Sequence, residues 1–166
     1  MSIDEFLAFV DDRLPPAPEK ELARLESELS CRLPADYRSF LLACNGGFVG
    51  GRLWFRGPAP DGRPVDVGVH HVGGFRSESY LSIFDTRYLY GSRIPSPLLW
   101  IMDDPFGNAI CLAVSGDHKG HVFFWDHEDE PDPGAWDGRM ETAGNIRLVA
   151  HSFTDFVGGL SQSDDA

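Results

Sequence analysis

Histidine and carboxylate side chains are the groups in this sequence best suited to metal binding or acid–base chemistry. His118 and His121 are three residues apart, and Asp126 follows shortly after them. Histidine nitrogens and carboxylate oxygens are common ligands of catalytic zinc. His118, however, falls in a predicted hairpin turn, and neither a Cys pair nor an HExxH helix accompanies it. We therefore expect solvated histidines here, and a metal-dependent hydrolase built on these three residues is a remote alternative.

A second pair of histidines, His70 and His71, is consecutive in a segment with strand-like alternation. Successive side chains of a strand point to opposite faces of the sheet, so we expect that the two rings cannot ligate one ion. The sequence thus predicts no metal and no cofactor.

Nucleophilic catalysis has little support in the sequence. Ser115 comes nearest to a G-x-S-x-G context, but it lies where a strand runs into a turn. Cys44 falls on the buried side of a predicted helix, and the glycines between Gly46 and Gly51 lack the lysine of a phosphate-binding loop. We predict that the protein is not an enzyme.

Negative charge is the most informative feature of the composition. The 166 residues include 26 acidic and 14 basic side chains, a formal net charge of −12. This balance argues against direct binding to nucleic acid or to an anionic membrane, since both need a basic surface. Residues 103–137 contain nine acids and one lysine, and therefore hold −8 of the −12. An acidic segment with aromatic anchors fits a basic protein partner, although a solvated loop that only aids solubility has the same composition. The aromatic residues of this segment are Phe106, Phe123, Phe124, Trp125 and Trp136.

The start of the chain does not resemble a targeting segment. The first ten residues carry two acids and no base, whereas a signal peptide has a positive n-region. No stretch approaches the ~18 apolar residues of a membrane span. The three cysteines are odd in number and widely spaced, as expected of free thiols in a reducing compartment. We predict a cytoplasmic protein without a membrane partner.

The first third of the sequence predicts helices. Ser2 and Glu5 match a capping box. Two further helices are expected to begin near Pro18 and Pro34, because proline suits the first turn of a helix. Asn45-Gly46-Gly47 is expected to end the last of them, since Asn and Gly tolerate the left-handed conformation.

The remainder of the sequence predicts strands, followed by a final helix. The helix is capped by Ser152 and continues through Leu160, and a shorter helix is expected around residues 80–88. These elements indicate an α+β fold. We expect a mostly antiparallel sheet of about five to six strands, with the N-terminal helices packed against it and a short C-terminal helix. The predicted strands are 48–55, with a glycine bulge, then 65–71, 98–102, 109–114, 121–126 and 145–150.

Four stretches of the chain, taken in order, carry a pattern found in a known family. They are LPADYRSFLLACNGG (33–47), LLWIMDDPFGNAICLAVSG (98–116), GHVFFWDHED (120–129) and VAHSFTDFVGGL (149–160). The pattern resembles the SUKH superfamily, which includes the Smi/Knr cell-wall regulators of fungi and many bacterial immunity proteins. The resemblance spans about residues 18–160 and implies a single SUKH-like domain over 1–166, while residues 56–91 match nothing definite.

The resemblance implies a non-catalytic protein that neutralises a cognate toxin by stoichiometric binding. Similar bacterial proteins sit beside secreted polymorphic toxins, which are often nucleases, and a nuclease presents a basic cleft that an acidic inhibitor could occupy. A protein-interaction module of the cell-wall-regulator kind is the alternative function. The oligomeric state stays open, because edge strands could pair with a second copy or with the partner. From the resemblance and the acidic segment together, we expect the contacts with a basic toxin to be Asp103, Asp104, Asp126, Glu128, Asp129, Glu130 and Trp136.

Overall fold

Helices come first along the chain, as predicted. The computed structural model describes residues 1–77 and 79–163, so the end of the predicted 1–166 domain lies outside the described residues. The Ser2 hydroxyl accepts a hydrogen bond from the Glu5 N–H at 3.2 Å, and the Glu5 carboxylate accepts one from the Ser2 N–H at 2.6 Å, which confirms the capping box. No helix among the described residues is long and apolar enough to cross a bilayer. The N-terminal helices are α1 (Ile3–Leu7), α2 (Glu19–Leu29) and α3 (Ala35–Ala43).

The strands pair into one antiparallel sheet. Their bounds are β1 (Gly47–Pro58), β2 (Pro64–Val72), β3 (Leu98–Asp103), β4 (Ala109–Ala113), β5 (Val122–Trp125), β6 (Ile146–Ala150) and β7 (Leu160–Gln162). Two helices lie between strands, α4 (Ile83–Tyr90) before β3 and α5 (Phe153–Gly158) before β7. Over the described residues the order across the sheet is β6-β5-β4-β3-β2-β1-β7. The predicted α+β class is thereby confirmed.

The predicted number of strands was wrong, because the sheet has seven strands in the described residues rather than five to six. The expected helix through Leu160 ends at Gly158, and Leu160–Gln162 pairs with residues 53–55 of β1 instead. Three residues are too few to show a strand alternation. They become a strand only because the edge of β1 offers them unpaired N–H and C=O groups.

The sheet must be strongly curled. Strands β6 and β7 occupy its two opposite edges, and six inter-strand spacings would separate them by about 29 Å in a flat sheet. The ten-residue step from Ala150 to Leu160 includes the six helical residues of α5, so it reaches only about 23 Å. The chain can join the two edges only if curvature brings them closer together.

Aromatic rings pack α1, α3 and α5 together beside the sheet. The ring centroid of Phe40 in α3 lies 4.8 Å from that of Phe153 in α5 and 5.8 Å from that of Phe6 in α1. Phe156 of α5 stacks on Phe55 of β1 at 5.7 Å. Each buried ring of this size contributes about 1.5–3 kcal/mol to the free energy of unfolding. The aromatic core therefore packs α1, near the start of the chain, and α5, near the end of the described residues, against the same helix, α3.

A bulge interrupts the ladder between β1 and β2, as the glycines predicted. Phe48 pairs with His71, and the next pair is Leu53 with Val69, so residues 49–52 face the single residue His70. Within this bulge, residues 50 and 51 are glycines with φ near +70°, a backbone conformation that glycine adopts without steric cost. The bulge distorts the sheet beside both histidines of β2.

Candidate functional site

The topology brings most of the acidic segment to one end of the sheet. Ala109, which begins β4, pairs with Trp125, which ends β5, so the turn 103–108 lies beside residues 126–130. The side-chain oxygen of Asn108 accepts a hydrogen bond from the His127 N–H at 3.1 Å and joins the two segments. Asp117 lies at the other end of β4, about 17 Å away along the strand. The negative charge of 103–137 is thus divided between two ends of the sheet.

Asp104 supports the turn from inside. Its side chain is buried, at 4% exposure. One carboxylate oxygen accepts hydrogen bonds from the backbone N–H groups of Phe106 and Asn108, both at 2.8 Å, and the other accepts from the Asn108 amide at 2.9 Å. Both oxygens of this carboxylate therefore accept hydrogen bonds from within the chain.

Asp103 is half-buried and bonded to β2. Its Oδ1 accepts a hydrogen bond from the His71 N–H at 2.9 Å and lies 3.0 Å from His71 Nδ1. Burial raises the pKa of Asp103, while the adjacent His71 ring acts in the opposite direction. Asp103 therefore joins the ends of β2 and β3 rather than standing free.

Glu130 is paired with Arg93. Both carboxylate oxygens of Glu130 accept hydrogen bonds from the guanidinium group, one of them at 2.9 Å. This pairing raises the pKa of Arg93. The guanidinium carbon lies 5.2 Å from the Trp125 ring, an arrangement typical of a cation–π contact. Glu130 is consequently neutralised on the surface by its own chain.

Exposed carboxylates remain on residues 128 and 129. The side chains of Glu128 and Asp129 make no hydrogen bond or ion pair with any described residue. Asp126 is half-buried, and its Oδ1 accepts from the Glu128 N–H at 3.0 Å, which holds the start of this segment. We call Asp126, Glu128 and Asp129, together with Phe106, the acidic rim.

Phe106 supplies an apolar group beside these acids. It is 68% exposed at the tip of the 103–108 turn, and its ring lies 6.2 Å from that of Trp54. The neighbouring residue Gly107 packs near the ring of His127, since a Cβ placed on the glycine would lie 3.9 Å from it. The turn that carries Phe106 thus lies beside the segment that carries the exposed carboxylates, while the Phe106 ring itself contacts Trp54 of β1.

Three of the other aromatic residues of the acidic segment belong to the interior, and the fourth is half-buried. Phe123, Phe124 and Trp125 are each at most 9% exposed, because β5 is covered on both faces. Trp136 is half-buried in the loop that follows, where its Nε1–H donates to the Arg139 carbonyl at 3.0 Å. Of the predicted aromatic anchors, Phe106 is the most exposed.

The structure corrects the expectation about His70 and His71. Their ring centroids are only 4.2 Å apart, so the two side chains do not point to opposite faces. One ring nitrogen of each and one carboxylate oxygen of Asp103 lie within 4.8 Å of one another. Strand alternation fails here because the bulge in β1 leaves His70 without a regular partner. The glycines indicated the bulge, but not its effect on the neighbouring strand.

The alternative metal site at His118, His121 and Asp126 is not assembled. His121 precedes β5 and Asp126 follows it, so about 16 Å separates them along the strand. The His121 ring instead lies 4.9 Å from that of His151, a neighbour the sequence did not indicate. Burial and the two adjacent histidines lower the pKa of His121.

Comparison with known proteins identifies the family of this chain. The sequence profile of the SMI1 / KNR4 family (SUKH-1) matches residues 16–159. A curated protein from Bacillus subtilis (strain 168), the SPbeta prophage-derived uncharacterized protein YokK, is 25% identical over 156 residues, which cover 85% of this chain and 73% of that protein. The resemblance found in the sequence is confirmed, and the chain belongs to the SMI1 / KNR4 family (SUKH-1).

Proposed function

We propose that this protein is an immunity protein of a bacterial polymorphic toxin system. Membership of the SUKH-1 family over residues 16–159 carries the proposal, because the superfamily includes many bacterial immunity proteins. The prophage-derived relative is consistent with a role in competition between bacteria. The protein would act without catalysis in the cytoplasm, by stoichiometric binding to a cognate toxin, for which a nuclease is our leading candidate.

The acidic rim supports the choice of a basic partner. Glu128 and Asp129 leave two carboxylates unpaired with the described residues, and the net charge of −12 favours approach to a cationic surface. A nuclease must hold phosphates with Lys and Arg side chains, which these carboxylates could engage. Phe106 would anchor the complex, because burial of an exposed aromatic ring is a common source of binding energy.

The predicted partner contacts divide into two groups in this proposal. Asp126, Glu128, Asp129 and Trp136 would lie at or beside the interface. The buried Asp104 and the internally bonded Asp103 and Glu130 would act indirectly, by fixing the shape of the rim.

The test begins with the reading frames beside the gene for this protein, where the proposal expects a large secreted toxin; absence of such a toxin would favour the interaction module. Expressed alone, the toxin should arrest growth, and co-expression of this protein should restore it. The double variant Glu128→Lys/Asp129→Lys should weaken the complex and reduce its dependence on salt, because close opposite charges become like charges. Asp117→Lys is the control for position, since it reverses one exposed charge at the other end of the sheet, and its effect is compared with half of that of the double variant.

Two further results would count against the proposal. A neighbouring toxin that binds but kills equally well in the presence of this protein would favour the interaction module of the cell-wall-regulator kind. Rescue that is equally strong with the double variant and with the control would reject the acidic rim while leaving the immunity role intact.

A further inference from the structure

We propose that His70, His71 and Asp103 form a binding site for a divalent transition metal, with Zn²⁺ as the best fit. One ring nitrogen of each histidine and one Asp103 oxygen lie within 4.8 Å of one another. No other trio of His, Cys, Asp or Glu side chains in residues 1–77 and 79–163 meets that distance. Two histidines and one carboxylate form the protein ligand set of many open zinc sites.

The distances suit zinc after a small adjustment. Zinc–ligand bonds of about 2.0–2.2 Å place tetrahedral ligand atoms about 3.4 Å apart. His71 Nδ1 already lies 3.0 and 3.1 Å from the two oxygens of Asp103. Since no two ligand atoms of the trio are more than 4.8 Å apart, the largest separation must shrink by at most about 1.4 Å, and rotation of the His70 side chain can supply such a movement.

The site is built into the fold rather than scattered on its surface. The side chains of His71 and Asp103 are 21% and 19% exposed, and the His71 N–H also bonds to the Asp103 carboxylate. The ring of Phe48 lies 5.0 Å from that of His70, and the ring of Tyr80 lies 5.4 Å from that of His71. These two rings flank the histidines and leave the trio open on the side of the pocket that they line.

An open pocket adjoins the trio and would leave a coordination position accessible. It has a volume of about 620 Å³, and its walls include His71, Phe48 and Tyr80. Arg13 and Arg76 line the same pocket. Asp12 lines it as well, so a fourth ligand entering from this side, such as a water molecule, would find charges of both signs nearby.

A bound ion would join two strands where their ladder is short. The ladder between β2 and β3 pairs Val72 with Met102, and just before this pair the His71 N–H donates to a side chain instead of a main-chain carbonyl. Since the metal would bind the folded state and not the unfolded one, it should raise the melting temperature with increasing concentration.

The experiment titrates the metal-free full chain, with any affinity tag removed, with Zn²⁺ by calorimetry and with Co²⁺ by visible absorption. We expect one equivalent of either ion and a rise in melting temperature. His71→Ala should weaken zinc binding at least about tenfold, because loss of even an outer-shell partner can have that effect. The double variant His118→Ala/His121→Ala is the matched control, since it removes two clustered rings elsewhere, 5.5 Å apart, and should bind zinc normally.

If His71→Ala fails to fold, a second measurement on the unaltered protein still tests the proposal. Diethylpyrocarbonate modifies accessible histidine rings, and mass spectrometry locates the modified residues. Saturating Zn²⁺ should protect His70 and His71 and leave His118 reactive. The proposal is overturned by absence of zinc binding at a large molar excess, by unchanged modification of His70 and His71, or by protection at His118 instead.

Discussion

Replacement of Asp104 by alanine is expected to lower the free energy of unfolding by about 3–4 kcal/mol. The buried carboxylate accepts three hydrogen bonds, from the N–H groups of Phe106 and Asn108 at 2.8 Å and from the Asn108 amide at 2.9 Å. Hydrogen bonds to a charged group contribute about 1.5–3 kcal/mol each. Their simple sum overstates the loss, because water can reach the N–H of the exposed Phe106 in the variant.

Asn108 determines most of the expected loss. It is only 8% exposed, so its backbone N–H and its amide would lose their acceptor away from solvent, at about 1–3 kcal/mol for each unsatisfied group. Asp104→Asn keeps the shape and one acceptor oxygen. It turns an amide toward the Asn108 amide, where two donors meet, and we expect a smaller loss of about 1–2 kcal/mol.

Urea unfolding followed by tryptophan fluorescence measures both variants, with an unchanged slope as the sign that the native fold is retained. Asp129→Ala is the control: it removes an exposed carboxylate that has no partner among the described residues, and its effect should stay within about 0.5 kcal/mol. A loss below about 1 kcal/mol for Asp104→Ala would refute the structural role given to this carboxylate.

Two further predictions concern packing and thiol reactivity. Gly74→Ala should destabilise the fold by about 1–3 kcal/mol, because a Cβ at this position would lie 2.5 Å from the backbone carbon of Asn45. In the same urea unfolding assay, Gly158→Ala, in open space at the end of α5, should be neutral or stabilising by up to about 1 kcal/mol. Burial raises the pKa of Cys44 to about 11. A thiol reagent at neutral pH should therefore label the half-buried Cys31 of the native protein well before the buried Cys44. Equal labelling rates would contradict the burial of Cys44.

Local sequence signals account for most of the elements. The capping box at Ser2, the helix starts after Pro18 and Pro34, and the glycine bulge were all predicted, since each depends on interactions within a few residues of the chain. β7 was missed because its three residues form a strand only through pairing with β1, more than 100 residues earlier. A non-local pairing of this kind leaves no period in the segment itself.

The candidate sites show the same division between sequence and structure. Composition fixed the net charge and located its concentration in residues 103–137. Tertiary structure decided which carboxylates face solvent: Asp104 is buried in its own turn, Glu130 is paired with Arg93, and Glu128 and Asp129 are exposed.

The histidines of β2 show most clearly why the sequence alone could not predict which side chains come together. Strand alternation predicts that His70 and His71 diverge, and it holds only where both neighbouring ladders are regular. Two features remove that regularity on both sides of β2: the bulge in β1, where four residues face one, and the hydrogen bond that the His71 N–H donates to the Asp103 carboxylate of β3. The sequence thus determined residue types, caps and charge, whereas contacts between distant segments decided which of these groups meet.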